Sequence, residues 1–254
     1  MNTQNQADFR ILDESEDFLA VDKPAGLLVH PTKPGGPWTL WDGLSQLLIY
    51  EIANGGQVSI INRLDRETSG VVLVAKNAPA ARTAGLAMQR GEFTKEYRVI
   101  VFGWPEWEEL TVDAPLIRRG EVEDSPVWLE RAVHPAGSVA RTRFRVIERL
   151  ERREDGGRVS LLEARPETGR THQIRVHAAH AGVPVVGDKL YAKGSHCYLE
   201  FIQMGWTSDL AKELWLPRHA LHCSRMSLGE TTWASDLPGD LTNFLTDSCR
   251  VVPR

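Results

Sequence analysis

Cysteine is scarce in this chain of 254 residues, and the signatures of several specialised protein classes are missing. The three cysteines, Cys197, Cys223 and Cys249, are far apart and form no Cys-x-x-Cys pair. This argues against a disulfide framework and favours a reducing cytoplasm. Residues 1–8 are polar, so we predict no signal peptide there. No apolar run approaches the roughly 20 residues that a membrane-spanning helix needs.

A basic excess is also missing. The net charge is −4 and the sequence pI is about 6.1, whereas nucleic-acid-binding proteins often carry surplus positive charge. This exclusion is weak, because only the local surface meets a phosphate backbone. The composition, 42% hydrophobic and 25% charged, is typical of a soluble globular protein. We predict a disordered tail over residues 1–8 and a single domain over residues 9–254.

Common cofactor and nucleophile motifs are absent as well. The sequence has no P-loop, no Rossmann glycine string and no Gly-x-Ser-x-Gly elbow. His177 and His180 would share a helix face, and His219, His222 and Cys223 cluster in sequence, but neither group has a recognised metal-ligand spacing. A glycosidase would need two carboxylates about 5–10 Å apart, and the sequence does not identify such a pair.

One strongly charged string lies between two apolar runs. The runs cover residues 58–61 and 71–75, and their short, β-branched composition predicts two buried strands. Between them, residues 63–70 read Arg-Leu-Asp-Arg-Glu-Thr-Ser-Gly. A charged surface turn is one interpretation. An active site is the other, because rigid elements commonly hold catalytic side chains on such loops.

This string resembles the active-site motif of the RluA-type pseudouridine synthases, His-Arg-Leu-Asp-x-x-Thr-Ser-Gly. The resemblance implies that Asp65 is the essential catalytic residue. Asn62 stands where the family has histidine, and an amide can donate and accept hydrogen bonds but cannot titrate. The departure therefore concerns substrate preference or rate more than the type of reaction.

Three further strings resemble the same family and follow the family's order. Residues 22–31 read Asp-Lys-Pro-Ala-Gly-Leu-Leu-Val-His-Pro. Lys95 and Tyr97 match a Lys-x-Tyr motif whose tyrosine lies against the target base. Residues 169–177 read Gly-Arg-Thr-His-Gln-Ile-Arg-Val-His, and in the family the second arginine, here Arg175, pairs with the catalytic aspartate. Shorter matches at residues 187–191 and 218–223 imply a structural loop and a late strand.

The resemblance implies an α+β fold with a mixed, mainly antiparallel β-sheet core, peripheral helices and an active-site cleft across the sheet. It also implies isomerisation of uridine to pseudouridine within RNA, with no cofactor and no metal. The implied catalytic residues are Asp65, Tyr97 and Arg175. The implied RNA-binding residues are polar side chains of the same motifs: Arg63, Arg66, Thr68, Lys95, Arg170, His172 and Gln173.

The family acts on transfer RNA and ribosomal RNA. Too few residues precede Phe9 to hold the family's S4-like RNA-binding domain, which favours a compact target such as a tRNA arm or a short hairpin. We expect a monomer whose partner is RNA, with no obligate protein partner. The rival interpretation is a non-catalytic RNA-binding descendant of the same fold. Such a protein is expected to have lost Asp65, Tyr97 or Arg175, and all three residue types are present.

Local patterns predict the elements around these motifs. Thr39 and Asp42 form a candidate capping box for a helix with apolar positions at Leu40, Leu44, Leu47 and Leu48. Residues 79–90 read as a helix with Leu86 and Met88 inward, and Thr171 as the N-cap of a helix that runs toward Gly182. Residues 140–150 predict a strand whose basic outer face meets either phosphates or solvent. The remaining predictions are strands at residues 9–12, 18–21, 93–101, 127–131, 158–164 and 218–223, and helices within residues 194–215 and 241–245.

Overall fold

The computed structural model describes residues 9–252, which form two compact units. The first unit takes the described part of residues 1–95 together with His222–Asp236, and the second takes Glu96–Leu221 and the described part of residues 237–254. The tail predicted over residues 1–8 lies outside the described residues. The single-domain prediction stays a prediction.

Residues 9–252 contain thirteen strands and seven α-helices. The strands are β1 (Arg10–Glu14), β2 (Phe18–Lys23), β3 (Ser59–Ile60), β4 (Ser69–Ala75), β5 (Phe93–Phe102), β6 (Glu109–Asp113), β7 (Leu116–Arg118), β8 (Arg131–Val133), β9 (Arg141–Arg152), β10 (Arg158–Pro166), β11 (Leu221–Leu228), β12 (Thr231–Ala234) and β13 (Cys249–Val251). The helices are α1 (Leu40–Leu47), α2 (Ile49–Ala53), α3 (Ala78–Gln89), α4 (Gln173–His180), α5 (His196–Met204), α6 (Ser208–Leu214) and α7 (Gly239–Asp247).

The first unit is built around β4, every residue of which is buried. Its strand order is β1-β2-β4-β11, with β3 paired to β4 and β12 paired to β11. The β4–β11 pair is parallel and the other pairs are antiparallel. The predicted entry strand is corrected here, because β3 holds only two residues and both are half-buried. The exit strand is confirmed.

Two helices of the first unit test the predicted patterns. Thr39 and Asp42 form the predicted capping box of α1, and Leu40, Leu44 and Leu48 are buried, but Leu47 is 46% exposed. The predicted inward position of Leu86 is wrong, since Leu86 is 42% exposed. Met88 is half-buried, and the fully buried positions of α3 are alanines. Because α3 lies directly against β4, small side chains occupy the side of closest approach.

The second unit has an antiparallel sheet with the order β5-β10-β9-β13, and β6 also pairs with β9. The hairpin predicted at residues 140–164 is confirmed, with Phe144 inward. Its outer arginines pair with carboxylates: Arg143 with Glu167, and Arg145 with Glu163. The solvent-facing interpretation of this strand therefore has more support than phosphate contact.

Two strand predictions in the second half of the chain need correction. Residues 127–130 form a turn in which the Glu130 N–H donates to the Val127 carbonyl at 3.1 Å, and the strand begins only at Arg131. Strand β11 begins at Leu221 rather than at Arg218. The Arg218 side chain precedes the strand and is bound to Asp240. Among residues 9–252, no helix is long and apolar enough to cross a membrane.

Candidate active site

Asp65 lies in the first unit, on the loop that joins β3 to β4. Its side chain is half-buried, and the Thr68 N–H donates to the Asp65 carbonyl at 3.1 Å, which closes a turn directly after it. Ordered groups hold this loop at both ends. A carboxylate on a loop that is fixed in this way can be aimed at a substrate with little reorganisation.

Lys23 holds the middle of the Asp65 loop. The Lys23 side chain is fully buried, and Nζ donates to the carbonyls of Pro24 at 2.8 Å, Leu27 at 2.9 Å and Arg66 at 3.2 Å. Gly26 adds a reciprocal pair: its N–H donates to the Arg66 carbonyl at 2.8 Å, and Arg66 Nε donates to the Gly26 carbonyl at 3.1 Å. The first two matched strings are therefore bound to each other around the residue that follows Asp65.

Asn62 fixes the start of the loop. Its side chain is 6% exposed, Nδ2 donates to the Val71 carbonyl at 3.0 Å, and Oδ1 accepts from the Leu73 N–H at 2.8 Å. The amide thus serves one backbone donor and one backbone acceptor of β4, a pairing that Asn can satisfy with one side chain. Asn62, which stands where the family has histidine, therefore anchors the start of the loop to β4.

Ser69 and Gly70 fix the end of the loop against β11. His222 Nε2 lies 3.1 Å from the Ser235 carbonyl, and Nδ1 lies 3.0 Å from Ser69 Oγ. Since a carbonyl only accepts, Nε2 carries a proton and donates to Ser235, while Nδ1 shares a hydrogen bond with the Ser69 hydroxyl. Gly70 has φ +113°, and a Cβ there would lie 2.2 Å from the Cys223 carbonyl oxygen. Only glycine fits this approach.

The other predicted site residues of the first unit differ in their surroundings. The Arg63 side chain is exposed and makes no hydrogen bond or ion pair within residues 9–252. Burial, reinforced by the charge of Arg63, lowers the pKa of His30. Lys95 is half-buried, with Nζ 3.9 Å from Met88 Sδ, and burial lowers the pKa of its ammonium group. The predicted RNA contacts of Arg63, Arg66, Thr68 and Lys95 stay predictions.

In the second unit, Gln173 determines where α4 begins. Its Oε1 accepts from Thr168 Oγ1 at 2.7 Å and from the Arg170 N–H at 3.0 Å. Its Nε2 donates to the Arg141 carbonyl and to Thr142 Oγ1, both at 2.9 Å. The predicted N-cap at Thr171 is therefore wrong. These bonds hold the preceding loop, and α4 starts at Gln173, one residue later than a Thr171 N-cap would give, after His172 in the left-handed region at φ 57°.

Arg175 makes a bidentate ion pair with Asp188. Nε lies 2.6 Å from Oδ2 and Nη2 lies 2.8 Å from Oδ1, and both side chains are buried. Burial by itself raises the pKa of Asp188. The charge and hydrogen bonds of Arg175 lower the pKa by more than burial raises it, so the net shift is downward. The sequence analysis placed Asp188 in a structural loop and did not identify this partner. The Asp65–Arg175 pair implied by the family stays a prediction.

Tyr191 ties the same loop to the start of α4. The Arg131 N–H donates to the Tyr191 hydroxyl oxygen at 2.9 Å, and the hydroxyl lies 2.7 Å from His172 Nδ1. The Arg175 guanidinium lies 5.1 Å from the centre of the Tyr191 ring. The strings at residues 169–177 and 187–191 therefore form one bonded assembly. Tyr97 is also in this unit, on β5, 7% exposed and opposite Ala164 of β10.

Two of the histidines considered as metal ligands, His177 and His222, have structural partners. His177 is fully buried between Thr142 Oγ1 at 2.8 Å and the Ala114 carbonyl at 2.9 Å, and burial lowers the pKa of its ring. His222 is held by Ser69 and Ser235 as described above. Within the described residues, neither ring belongs to a group of three His, Cys or acidic side chains that could hold a metal ion.

The chain is similar to known pseudouridine synthases along most of its length. A family model described as RNA pseudouridylate synthase matches residues 17–180. The Ribosomal large subunit pseudouridine synthase D of Pseudomonas aeruginosa is 36% identical over 247 residues, which cover 94% of this chain and 71% of that protein. An Uncharacterized RNA pseudouridine synthase of Chloroflexus aurantiacus is 42% identical over 183 residues, which cover 70% of this chain and 53% of that protein.

Solved structures confirm the fold. Human RNA Pseudouridylate Synthase Domain Containing 1 superposes with a TM-score of 0.70 at 22% identity, covering 100% of this chain and 94% of that chain. The predicted α+β class with mixed, mostly antiparallel strands is thereby confirmed. With the family model and the relatives taken together, the chain belongs to the RNA pseudouridylate synthase family and is an RNA pseudouridine synthase, an isomerase.

Proposed function

We propose that this synthase acts on RNA of the ribosomal large subunit. One observation carries the choice of substrate. The synthases named for that subunit in Pseudomonas aeruginosa, Yersinia pestis and Escherichia coli K12 are 33–36% identical and align over 92–94% of this chain. A tRNA arm or short hairpin, the target favoured in the sequence analysis, is the alternative. No aligned relative described above is named for transfer RNA.

The proposed reaction breaks the bond from C1′ of the ribose to N1 of uracil and forms a bond from C1′ to C5. The hydrogen on C5 is released to solvent and N1 regains a proton, so no electron is gained or lost. A redox cofactor is therefore not needed. The target base has to leave the RNA stack first, and an aromatic face such as that of Tyr97 offsets part of the unstacking cost.

Asp65 is the proposed catalytic carboxylate. It would attack the sugar, add to the base or remove a sugar proton, and each of these roles needs an ionised, sheltered carboxylate. The half-buried loop position and the anchors at Lys23 and Asn62 support this role, because they hold the loop that presents the carboxylate. Arg175 is the proposed charge partner that keeps Asp65 ionised. Asp188 holds the Arg175 guanidinium through Nε and Nη2.

Arg63 is the proposed contact to the RNA backbone. Its exposed guanidinium lies two residues before Asp65, and a free guanidinium matches the geometry of a phosphate. We also propose that the enzyme acts as a monomer in the cytoplasm. Its three cysteines are buried and unpaired, as expected where thiols stay reduced.

Tritium release tests the choice of substrate. Ribosomal large subunit RNA and bulk tRNA, each labelled with tritium at uracil C5, are incubated separately with the full chain. Release from the ribosomal RNA alone is expected. Release from the tRNA pool alone would overturn the substrate and leave the reaction intact. Absence of release from both pools, with RNA still bound, would favour the non-catalytic RNA-binding rival.

A further inference from the structure

Three potential metal ligands converge in the second unit, outside the proposed catalytic residues. His196 and Cys197 begin α5, and Glu213 lies in the last turn of α6. Cys197 Sγ lies 3.4 Å from His196 Nε2 and 3.5 Å from Glu213 Oε2, and His196 Nε2 lies 3.7 Å from Glu213 Oε2. Among residues 9–252, this is the one group of three His, Cys or acidic side chains whose ligand atoms meet so closely.

The three distances between the ligand atoms are close to the edge lengths of a zinc coordination tetrahedron. With bonds of about 2.3 Å to sulfur and about 2.0–2.1 Å to nitrogen and oxygen, tetrahedral ligand atoms lie about 3.3–3.6 Å apart. The observed 3.4 and 3.5 Å lie within this range and the observed 3.7 Å lies just above it, so small side-chain adjustments would seat one ion. A mixed sulfur, nitrogen and oxygen set suits zinc, whereas magnesium and calcium take oxygen ligands.

Of the three ligands, Cys197 is held in the protein interior, whereas His196 and Glu213 are accessible to solvent and to an entering ion. Cys197 is fully buried in an apolar cluster with Leu210 and Leu214, so its sulfur is fixed from below. The side chains of His196 and Glu213 are 63% and 48% exposed, which leaves an entry path and a coordination position for water.

The charges around Cys197 favour a cation. The carboxylates of Glu213 and Glu200 act on the Cys197 sulfur, and their negative charges attract a cation. Cys249 is the matched contrast. The charged neighbours of Cys249 include Arg152 and Arg153, and Cys249 belongs to no such ligand group in the described chain.

We propose that His196, Cys197 and Glu213 bind one zinc ion, with water as the fourth ligand. The ion would join the start of α5 to the end of α6 and stabilise the folded second unit, because binding only to the folded state raises stability. A hydrogen bond from the Cys197 thiol to Glu213 explains that single contact. It does not explain why the His196 nitrogen faces both of the other ligand atoms.

Cobalt is the spectroscopic probe for this site. Tag-free, metal-free full chain is titrated with Co²⁺ and then with Zn²⁺. We expect one equivalent to bind, with the intense visible bands of four-coordinate cobalt and a near-ultraviolet sulfur-to-cobalt band, both removed by Zn²⁺. Cys197→Ser should abolish the sulfur band, whereas Cys249→Ser should retain it.

Two exposed variants carry the test if Cys197→Ser disturbs the core. His196→Ala and Glu213→Gln should each weaken Co²⁺ and Zn²⁺ binding by more than about tenfold, and Zn²⁺ should raise the thermal midpoint of the wild type but not of Glu213→Gln. Absence of stoichiometric binding by the wild type would overturn the proposal. A sulfur band that survives Cys197→Ser, or affinity unchanged in both exposed variants, would overturn it as well. None of these readouts depends on RNA turnover.

Discussion

Replacing Lys23 with methionine should loosen the Asp65 loop. Methionine keeps a flexible apolar stem of similar length but cannot donate to the carbonyls of Pro24, Leu27 and Arg66. All three carbonyls lose the Lys23 donor, but the Arg66 carbonyl still accepts from the Gly26 N–H, so the loss matters most for the carbonyls of Pro24 and Leu27. Each such loss costs about 1–3 kcal/mol, and relief of the buried ammonium's desolvation offsets part of it.

A net destabilisation of about 2–4 kcal/mol is therefore expected for Lys23→Met. Urea unfolding should show a lower midpoint with an unchanged slope, since the same surface is exposed on unfolding. At temperatures where the variant is folded, turnover of labelled RNA should fall at least about tenfold with little change in KM, because Asp65 is less precisely held.

Lys212→Met is the matched control. Lys212 is 76% exposed and pairs with Asp209 on the surface, so its loss should change stability by less than about 0.5 kcal/mol. The proposal that Lys23 holds the Asp65 loop is wrong if Lys23→Met behaves like this control in both unfolding and turnover. A loss of stability without any loss of turnover would limit Lys23 to a structural role.

Three further substitutions follow from the same contacts. Asn62→Ala leaves one carbonyl and one N–H of β4 without their side-chain partner and should lower the free energy of unfolding by about 2–4 kcal/mol; an unchanged urea midpoint would contradict this. Asp188→Asn should lower the free energy of unfolding by about 3–5 kcal/mol, because it removes the negative charge of the bidentate partner of Arg175. Because the folded pKa of Asp188 is lowered, its stabilisation is present above pH of about 4 and is lost as pH falls, so the variant's stability should decline less steeply in acid, and an identical acid limb would refute the assignment. Gly70→Ala places a Cβ 2.2 Å from a backbone oxygen and should yield little soluble protein, whereas Gly85→Ala, with open space around it, should be tolerated in α3; comparable soluble yields would contradict the close approach.

Elements with a strong local cause were predictable from the sequence. The capping box at Thr39, the alternating strand around Phe144 and the fully apolar β4 each satisfy a backbone or burial requirement within a few residues. Binary patterns of this kind follow directly from the periods of helix and strand. The family resemblance identified the Asp65 loop, and the confirmed fold and family agree with it.

Features that depend on distant partners were not predictable. The start of α4 is displaced by a glutamine that bonds residues more than 30 positions away, which no capping rule includes. Asp188 looks like a loop residue in sequence and becomes the bidentate partner of Arg175 only when two segments meet. Leu86 is exposed rather than inward, because α3 lies so close to β4 that small alanine side chains occupy the buried face of the helix.

The most direct test of the central claim is tritium release by Asp65→Asn on ribosomal large subunit RNA. The account predicts release by the wild type and none above an enzyme-free control by the variant, with the urea midpoint and RNA affinity preserved. Asparagine keeps the size and polarity of the side chain but removes its charge. Release by the folded variant at a rate near that of the wild type would contradict the assignment of Asp65 as the catalytic carboxylate.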